Sequence, residues 1–147
     1  MTGVNWRTEA RNRLREAGYR PGAARARLID YLATQSCCQS AQEIHAELAA
    51  RGGRIGLASV YRALDMLVEH GLVQRVDIGD GTARYETSQR TGDHHHHLVC
   101  AECGKVEPFA DRSLEKAIGA VQRRSTYAVV AHEVVLRGTC AECGEDQ

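Results

Sequence analysis

The tetrapeptide Cys-Ala-Glu-Cys occurs twice, as Cys100–Cys103 and Cys140–Cys143, and a glycine follows each copy (Gly104, Gly144). A CxxC turn brings two thiolates to one side of the chain, at a separation that suits two corners of a tetrahedron. Two such turns close an S4 site with Zn–S bonds of about 2.3 Å, which leaves no position for water and is therefore structural. The glycines ease the tight backbone after each pair. A thioredoxin-like redox pair or two disulfides would draw on the same residues. The redox pair needs a helix N-terminus in a βαβ setting, which the flanking sequence lacks. Disulfides need an oxidising compartment. The doubled motif points to Zn2+.

Just upstream, His94-His95-His96-His97 runs into Leu98-Val99-Cys100, an apolar stretch with the character of a strand. Successive side chains in a strand face opposite ways. His94 and His96 would face one side and His95 and His97 the other, so one strand could serve two metal sites. A solvated polar linker is the plainer alternative. Each pair needs further ligands, and the candidates are Glu115, His132, Glu86 and Cys38. Periodicity does not connect these positions.

The elements that must hold these donors are legible in outline. An Arg-rich helix runs from Trp6 to Ala17 and stops at Gly18. Pro21 suits the first turn of a second helix whose apolar stripe is Leu28, Ile29 and Leu32. Ser40-Ala-Gln-Glu43 is a capping box and opens a third helix, with Ile44 and Leu48 inward, that ends before Gly52-Gly53. A fourth helix covers about Ala58 to His70, buries Val60, Leu64, Leu67 and Val68, and ends at Gly71. Leu72–Ile78 and Thr82–Glu86 flank Gly79-Asp80-Gly81 and form a hairpin. Helices followed by a hairpin describe a winged helix-turn-helix over residues 1–87; a small helical domain with an incidental hairpin is the alternative. The polar, turn-rich stretch 88–93 is a hinge. Residues 94–147 then form a small α+β domain, with strands at His94–Cys100, Val106–Phe109 and Tyr127–Leu136 and a helix at Ser113–Arg124. The fold class is α+β. A domain as small as the second needs a metal, a partner subunit, or both.

The chain has 147 residues, 43 % of them hydrophobic, and no net charge. Its charge is unevenly spread. Residues 1–75 carry eleven arginines and seven acids, a net of +4, whereas residues 76–147 carry −4. The basic half is the one suited to a polyanion. No apolar leader and no run of about 18 apolar residues is present, so the expectation is a cytoplasmic protein with reduced thiols and no membrane partner.

Taken in order, several motifs resemble those of the ferric uptake regulator (Fur) family of iron, zinc, manganese, nickel and peroxide sensors. They are Gly18-Tyr-Arg-Pro-Gly22, Ser40-Ala-Gln-Glu-Ile44 and Ile55-Gly-Leu-Ala-Ser-Val-Tyr61-Arg62-Ala-Leu64. The histidine run through Lys105, and His132 ahead of Gly138-Thr-Cys-Ala-Glu-Cys143, continue the series. The resemblance implies a winged-helix DNA-binding domain, a C-terminal dimerisation domain, and operator binding enabled by metal. It places Tyr61 and Arg62 on the recognition helix, against bases and backbone in the major groove, and Arg20 at the minor groove. It assigns Cys100, Cys103, Cys140 and Cys143 to a structural Zn2+ site. His94, His96, Glu115 and His132 fall to a site within the dimerisation domain. Cys38, Glu86, His95 and His97 fall to a regulatory site that bridges the domains.

Two departures set the expected metal. Iron-type relatives usually carry His where Cys38 stands and often Asp where His96 stands. Actinobacterial zinc sensors often carry Asp at the position of Gln74, and Cys near Ser88 or Gln89. A thiolate at Cys38 with two imidazoles favours Zn2+ over Mn2+ or Fe2+. The alternative for Cys38 is a buried apolar residue or a free thiol, and Cys37 has no assigned role. The expected function is a zinc-responsive repressor that binds double-stranded operator DNA as a homodimer. The alternatives are an iron(II) or manganese sensor and, less in keeping with Glu86, a peroxide sensor. No HExxH, no nucleophile with a paired base and no phosphate-binding glycine loop is present, so neither an enzyme nor a small-molecule substrate is expected. A zinc storage protein would have no use for Tyr61-Arg62 on a helix after a helix-turn-helix.

Overall fold

The computed structural model describes residues 3–88 and 95–144. The chain divides into two compact units, Met1–Asp93 and His94–Gln147. In the first, the elements run α1 (Gly3–Glu16), α2 (Ala23–Leu32), β1 (Gln39–Ser40), α3 (Ala41–Ala50), α4 (Leu57–Glu69), β2 (Val73–Val76) and β3 (Arg84–Thr87). Leu28 and Leu32 of α2, Ile44 of α3, and Val60, Leu64 and Leu67 of α4 meet in a fully buried core with Leu72. Each such side chain contributes about 1.5–3 kcal/mol by leaving water. Trp6 closes the core from α1, and its indole N–H donates to the Leu72 carbonyl at 2.9 Å.

The helix ends are set by the residues the sequence offers. Ser40 Oγ accepts from the Glu43 amide at 3.1 Å while the Glu43 carboxylate accepts from the Ser40 amide at 2.9 Å, which completes the capping box of α3. At the end of α4, Gly71 takes φ +66°, a conformation that L side chains rarely adopt. The Leu72 amide then donates back to Leu67 O at 2.9 Å and the chain is aimed directly into β2. Helix α2 starts at Ala23 with Gly22 as its cap, so Pro21 lies just ahead of the first turn rather than in it. Helix α4 packs against α3 and against β2, which widens its buried stripe to include Met66 and leaves Val68 half-buried.

The wing is a hairpin whose turn is held by two aspartates, with Asp77 accepting from the Gly79 amide at 2.7 Å and Asp80 from the Thr82 amide at 3.0 Å. A third, two-residue strand that the sequence did not announce completes the sheet. β1 pairs antiparallel with β3, with Gln39 opposite Tyr85 and Ser40 opposite Arg84, giving the order β1-β3-β2. Ser88, placed in the hinge by its composition, still donates its amide to Leu72 O at 2.9 Å. The rest of that stretch lies outside the described residues.

The second unit contains β4 (His96–Cys100), β5 (Val106–Phe109), α5 (Arg112–Arg124), β6 (Val135–Gly138) and the short α6 (Ala141–Gly144). β4 is central, antiparallel to β5 and parallel to β6. Asp111 caps α5 by accepting from the Leu114 amide at 2.8 Å. The strand expected over Tyr127–Leu136 begins only at Val135. A strand needs a ladder partner, and Val135 pairs with His97, one residue from the start of β4. Upstream of it, Tyr127 and Val130 stand exposed. Among the described residues of this unit only His96, His97, Val99 and Cys100 are buried, and none of α5 is.

The capping box generates a simple test. Ser40→Ala should cost the first unit about 1 kcal/mol and Ser40→Gly only a few tenths, read from urea unfolding followed by circular dichroism. Equal losses for the two would show that Ser40 stabilises through packing instead.

Candidate metal centres and recognition helix

The sulfur atoms of Cys100, Cys103, Cys140 and Cys143 all lie within 4.8 Å of one another. Cys100 ends β4, Cys103 closes the turn into β5, and the second pair sits at the start of α6 just after β6. The parallel β4–β6 ladder, which sets Cys100 opposite Gly138, is what brings the two motifs together. The Cys103 and Cys140 sulfurs are 3.8 Å apart, close to the edge of a tetrahedron with arms of about 2.3 Å. The donor set and spacing therefore fit a tetrahedral thiophilic cation. Backbone amides, that of Cys103 first and that of Cys140 second, lower the Cys100 thiol to about 6. The Cys140 amide lies 3.4 Å from Cys100 Sγ. Hydrogen bonds shared with Cys140 and then Cys103 push Cys143 up to about 12.

A second group forms on the face of β4 that carries His96. Glu115, in the first turn of α5, receives two imidazoles: His96 Nε2 is 2.6 Å from Oε1 and His132 Nε2 is 3.0 Å from Oε2. His96 is 2 % exposed, and its ring packs 5.6 Å from that of Phe109. Its Nδ1 accepts from the Val134 amide at 3.2 Å, which leaves the ring proton on Nε2 facing the carboxylate. Two imidazoles and a carboxylate suit a borderline or hard divalent cation. His94, the fourth residue expected here, lies outside the described residues.

The four residues expected at the bridging site fall two to each unit. In the first, the β1–β3 register, continued by one residue, sets Cys38 opposite Glu86, and Gln74 of β2 is opposite Glu86 on its other side. Gln74 Nε2 donates to Glu86 Oε1 at 2.6 Å and so orients the carboxylate. The sulfurs of Cys37 and Cys38 and a Glu86 oxygen lie within 4.8 Å of one another. A hydrogen bond with Cys37, then burial, raise the Cys38 thiol well above the ordinary cysteine range. In the second unit, the His95 and His97 rings are 5.0 Å apart, as the alternation of a strand requires. Sequence reasoning left Cys37 without a role and gave Gln74 none at this carboxylate. Only the non-local strand register reveals both.

Arg62 projects exposed from α4, its guanidinium 3.0 Å from Ser59 Oγ, whereas Tyr61 is half-buried against the core. Arg20 is exposed in the α1–α2 turn, and its carbonyl accepts from Arg25 at 2.8 Å. Arg25, Ser59 and Arg62 border one groove between α2 and α4.

The contrast within the sulfur cluster can be measured. In the reduced, metal-stripped chain at pH 7, Cys100 is mostly thiolate and Cys143 is not. Ultraviolet thiolate absorbance of the wild-type chain should therefore show an ionisation step near pH 6 that Cys100→Ser removes. A titration unchanged by that substitution below about pH 8 would contradict it.

The sequence profile of the ferric uptake regulator family matches residues 16–137. The ferric uptake regulation protein of Legionella pneumophila is 33 % identical over 136 residues, which span 92 % of this chain and 98 % of the relative. The crystal structure of the Vibrio cholerae ferric uptake regulator aligns with a TM-score of 0.76 at 32 % identity, covering 86 % of this chain and 96 % of that one. The Pseudomonas aeruginosa ferric uptake regulator, solved with manganese, aligns with a TM-score of 0.70 at 29 % identity, covering 89 % and 97 %. With the profile, the curated relative and the fold in agreement, this chain belongs to the ferric uptake regulator family and is a transcriptional regulator, not an enzyme.

Proposed function

We propose that the chain is a metal-responsive repressor that binds operator DNA as a homodimer and responds to zinc. The observation that carries this reading is the Cys38 thiol beside the Glu86 carboxylate in the same small unit as a helix that presents Arg62 to solvent. Glu86 lies on β3, whose ladder partner β2 packs against α4, the helix that carries Arg62. In this reading Arg62 pairs with a guanine edge, Tyr61 packs on a thymine methyl, and Arg20 enters the minor groove. Cys100, Cys103, Cys140 and Cys143 hold a structural Zn2+, while His94, His96, Glu115 and His132 hold an ion within the dimerisation domain, residues 94–147.

Cys38 and Glu86 from the DNA-binding domain, residues 1–87, and His95 and His97 from beyond the 88–93 hinge would hold the regulatory ion. The ion's contribution is a crosslink. Domains held in this way keep two α4 helices at the spacing of operator half-sites, and domains not so held sample other orientations and bind weakly. The coupling is reciprocal, so operator DNA tightens metal binding by the same factor. Dimerisation is supported by the exposed Leu98, Val121 and Leu136 of a unit with almost no apolar core. No described helix is long and apolar enough to cross a membrane, in keeping with a cytoplasmic site of action.

The thiolate at Cys38 favours zinc. A second reading, an iron(II) or manganese sensor, is favoured by the hard Glu86 oxygen and by the manganese with which the Pseudomonas aeruginosa relative was solved.

Buffered titration of the metal-stripped protein against its own upstream DNA, under anaerobic conditions, separates the two. Zinc at very low free concentration should restore sequence-specific binding where Fe(II) and Mn(II) do not; restoration by either of those at cellular levels would overturn the zinc assignment. Tyr61→Ala with Arg62→Ala should weaken operator binding by roughly 30-fold or more while metal content is unchanged. Retained specific binding in that double variant would sink the repressor reading.

A further inference from the structure

We infer that Cys37 is a second thiolate ligand at the regulatory site, so that the first unit alone offers two sulfurs and one carboxylate to a single thiophilic divalent cation. This rests on the reading that Cys38 and Glu86 serve the regulatory ion, and it assigns the metal preference of that site to the Cys37–Cys38 pair.

Four observations converge. The two sulfurs and a Glu86 oxygen lie within 4.8 Å of one another, the spacing of donors around one ion. Neighbouring residues in a strand point to opposite faces, yet these two thiols share a hydrogen bond. The reason is local: Cys37 sits in the bend before β1 rather than in the ladder, so its side chain escapes the alternation and turns toward that of Cys38. Neither thiol is exposed; Cys38 is buried and Cys37 half-buried. The carboxylate beside them is already oriented by Gln74 at 2.6 Å, the outer-shell support that metal-binding carboxylates have.

The chemistry follows from the donor set. Each thiol gives up its proton to solvent on coordination. One thiolate among oxygen and imidazole donors already favours zinc, and a second widens that preference over iron(II) and manganese. Two thiolates and a carboxylate also bring three negative charges to a dication. The Arg84 guanidinium, which acts on Cys38 from the adjoining strand, offsets part of that excess.

The test uses Co(II) as the probe in the full chain, with the four-cysteine site first filled with Zn(II). Thiolate-to-Co(II) charge-transfer absorption, taken per protein chain at saturating Co(II), counts sulfurs at the regulatory site, because the group of His96, Glu115 and His132 has none. The wild-type band should fall to about half in Cys37→Ser and in Cys38→Ser, and vanish in the double variant. In Cys37→Ser, zinc affinity should drop at least about tenfold relative to Mn(II). A full-strength band in Cys37→Ser that is lost in Cys38→Ser would overturn the role of Cys37 and leave Cys38 as the sole thiolate. Absence of the band in wild type would overturn both. An independent measurement needs no variant: Zn(II) should protect both Cys37 and Cys38 of the wild-type chain from alkylation. Protection of Cys38 alone overturns the inference.

Discussion

Strand β4 is the constraint on which the second unit turns. It is five residues long, its backbone is paired on both edges, and its alternation sends His96 to Glu115 and His132. Its far end delivers Cys100 to the sulfur cluster. Between them, Leu98 faces solvent. Donor clusters therefore occupy the places where an ordinary domain of this size would put its core. The magnitudes explain how that is tolerable. Burying Val99 contributes about 2 kcal/mol, whereas a cation held by four thiolates stabilises a small fold by about 10–16 kcal/mol.

How much of this was legible in the sequence depends on how local each signal is. The capping box at Ser40 and Glu43, the stop at Gly71 and the two CxxC turns are each written within a few residues, and each appears as the chemistry requires. The adjacency of Cys38 to Glu86 is not local. It follows from the register of a two-residue strand against β3, and no periodicity marks a strand that short. Gln74 reaches Glu86 for the same non-local reason. Tyr127–Leu136 shows the opposite error. Its β-branched composition expresses a propensity, but a ladder forms only where β4 supplies a partner, from Val135 onward.

The His96 site carries a chemical tension that the sequence could not reveal. The Val134 amide donates to Nδ1, and this fixes the ring proton on Nε2, against Glu115. An imidazole that offers its Nε2 lone pair to a cation carries its proton on Nδ1 instead, where it would meet a second donor. A cation taken at Nε2 would therefore cost the ring its hydrogen bond from Val134, the residue just ahead of β6, whose carbonyl accepts from the His97 amide at 3.1 Å.

The brevity of β1 has a mechanical consequence. Its second residue is the cap of α3, and the residue just before it is Cys38. Two residues therefore separate the Cys38 thiol from the first turn of the helix that packs on α4. Linked in series over so short a span, wing and helix pair cannot loosen independently. A tug at the sulfur reaches the helix undamped, with no slack loop between them to absorb it.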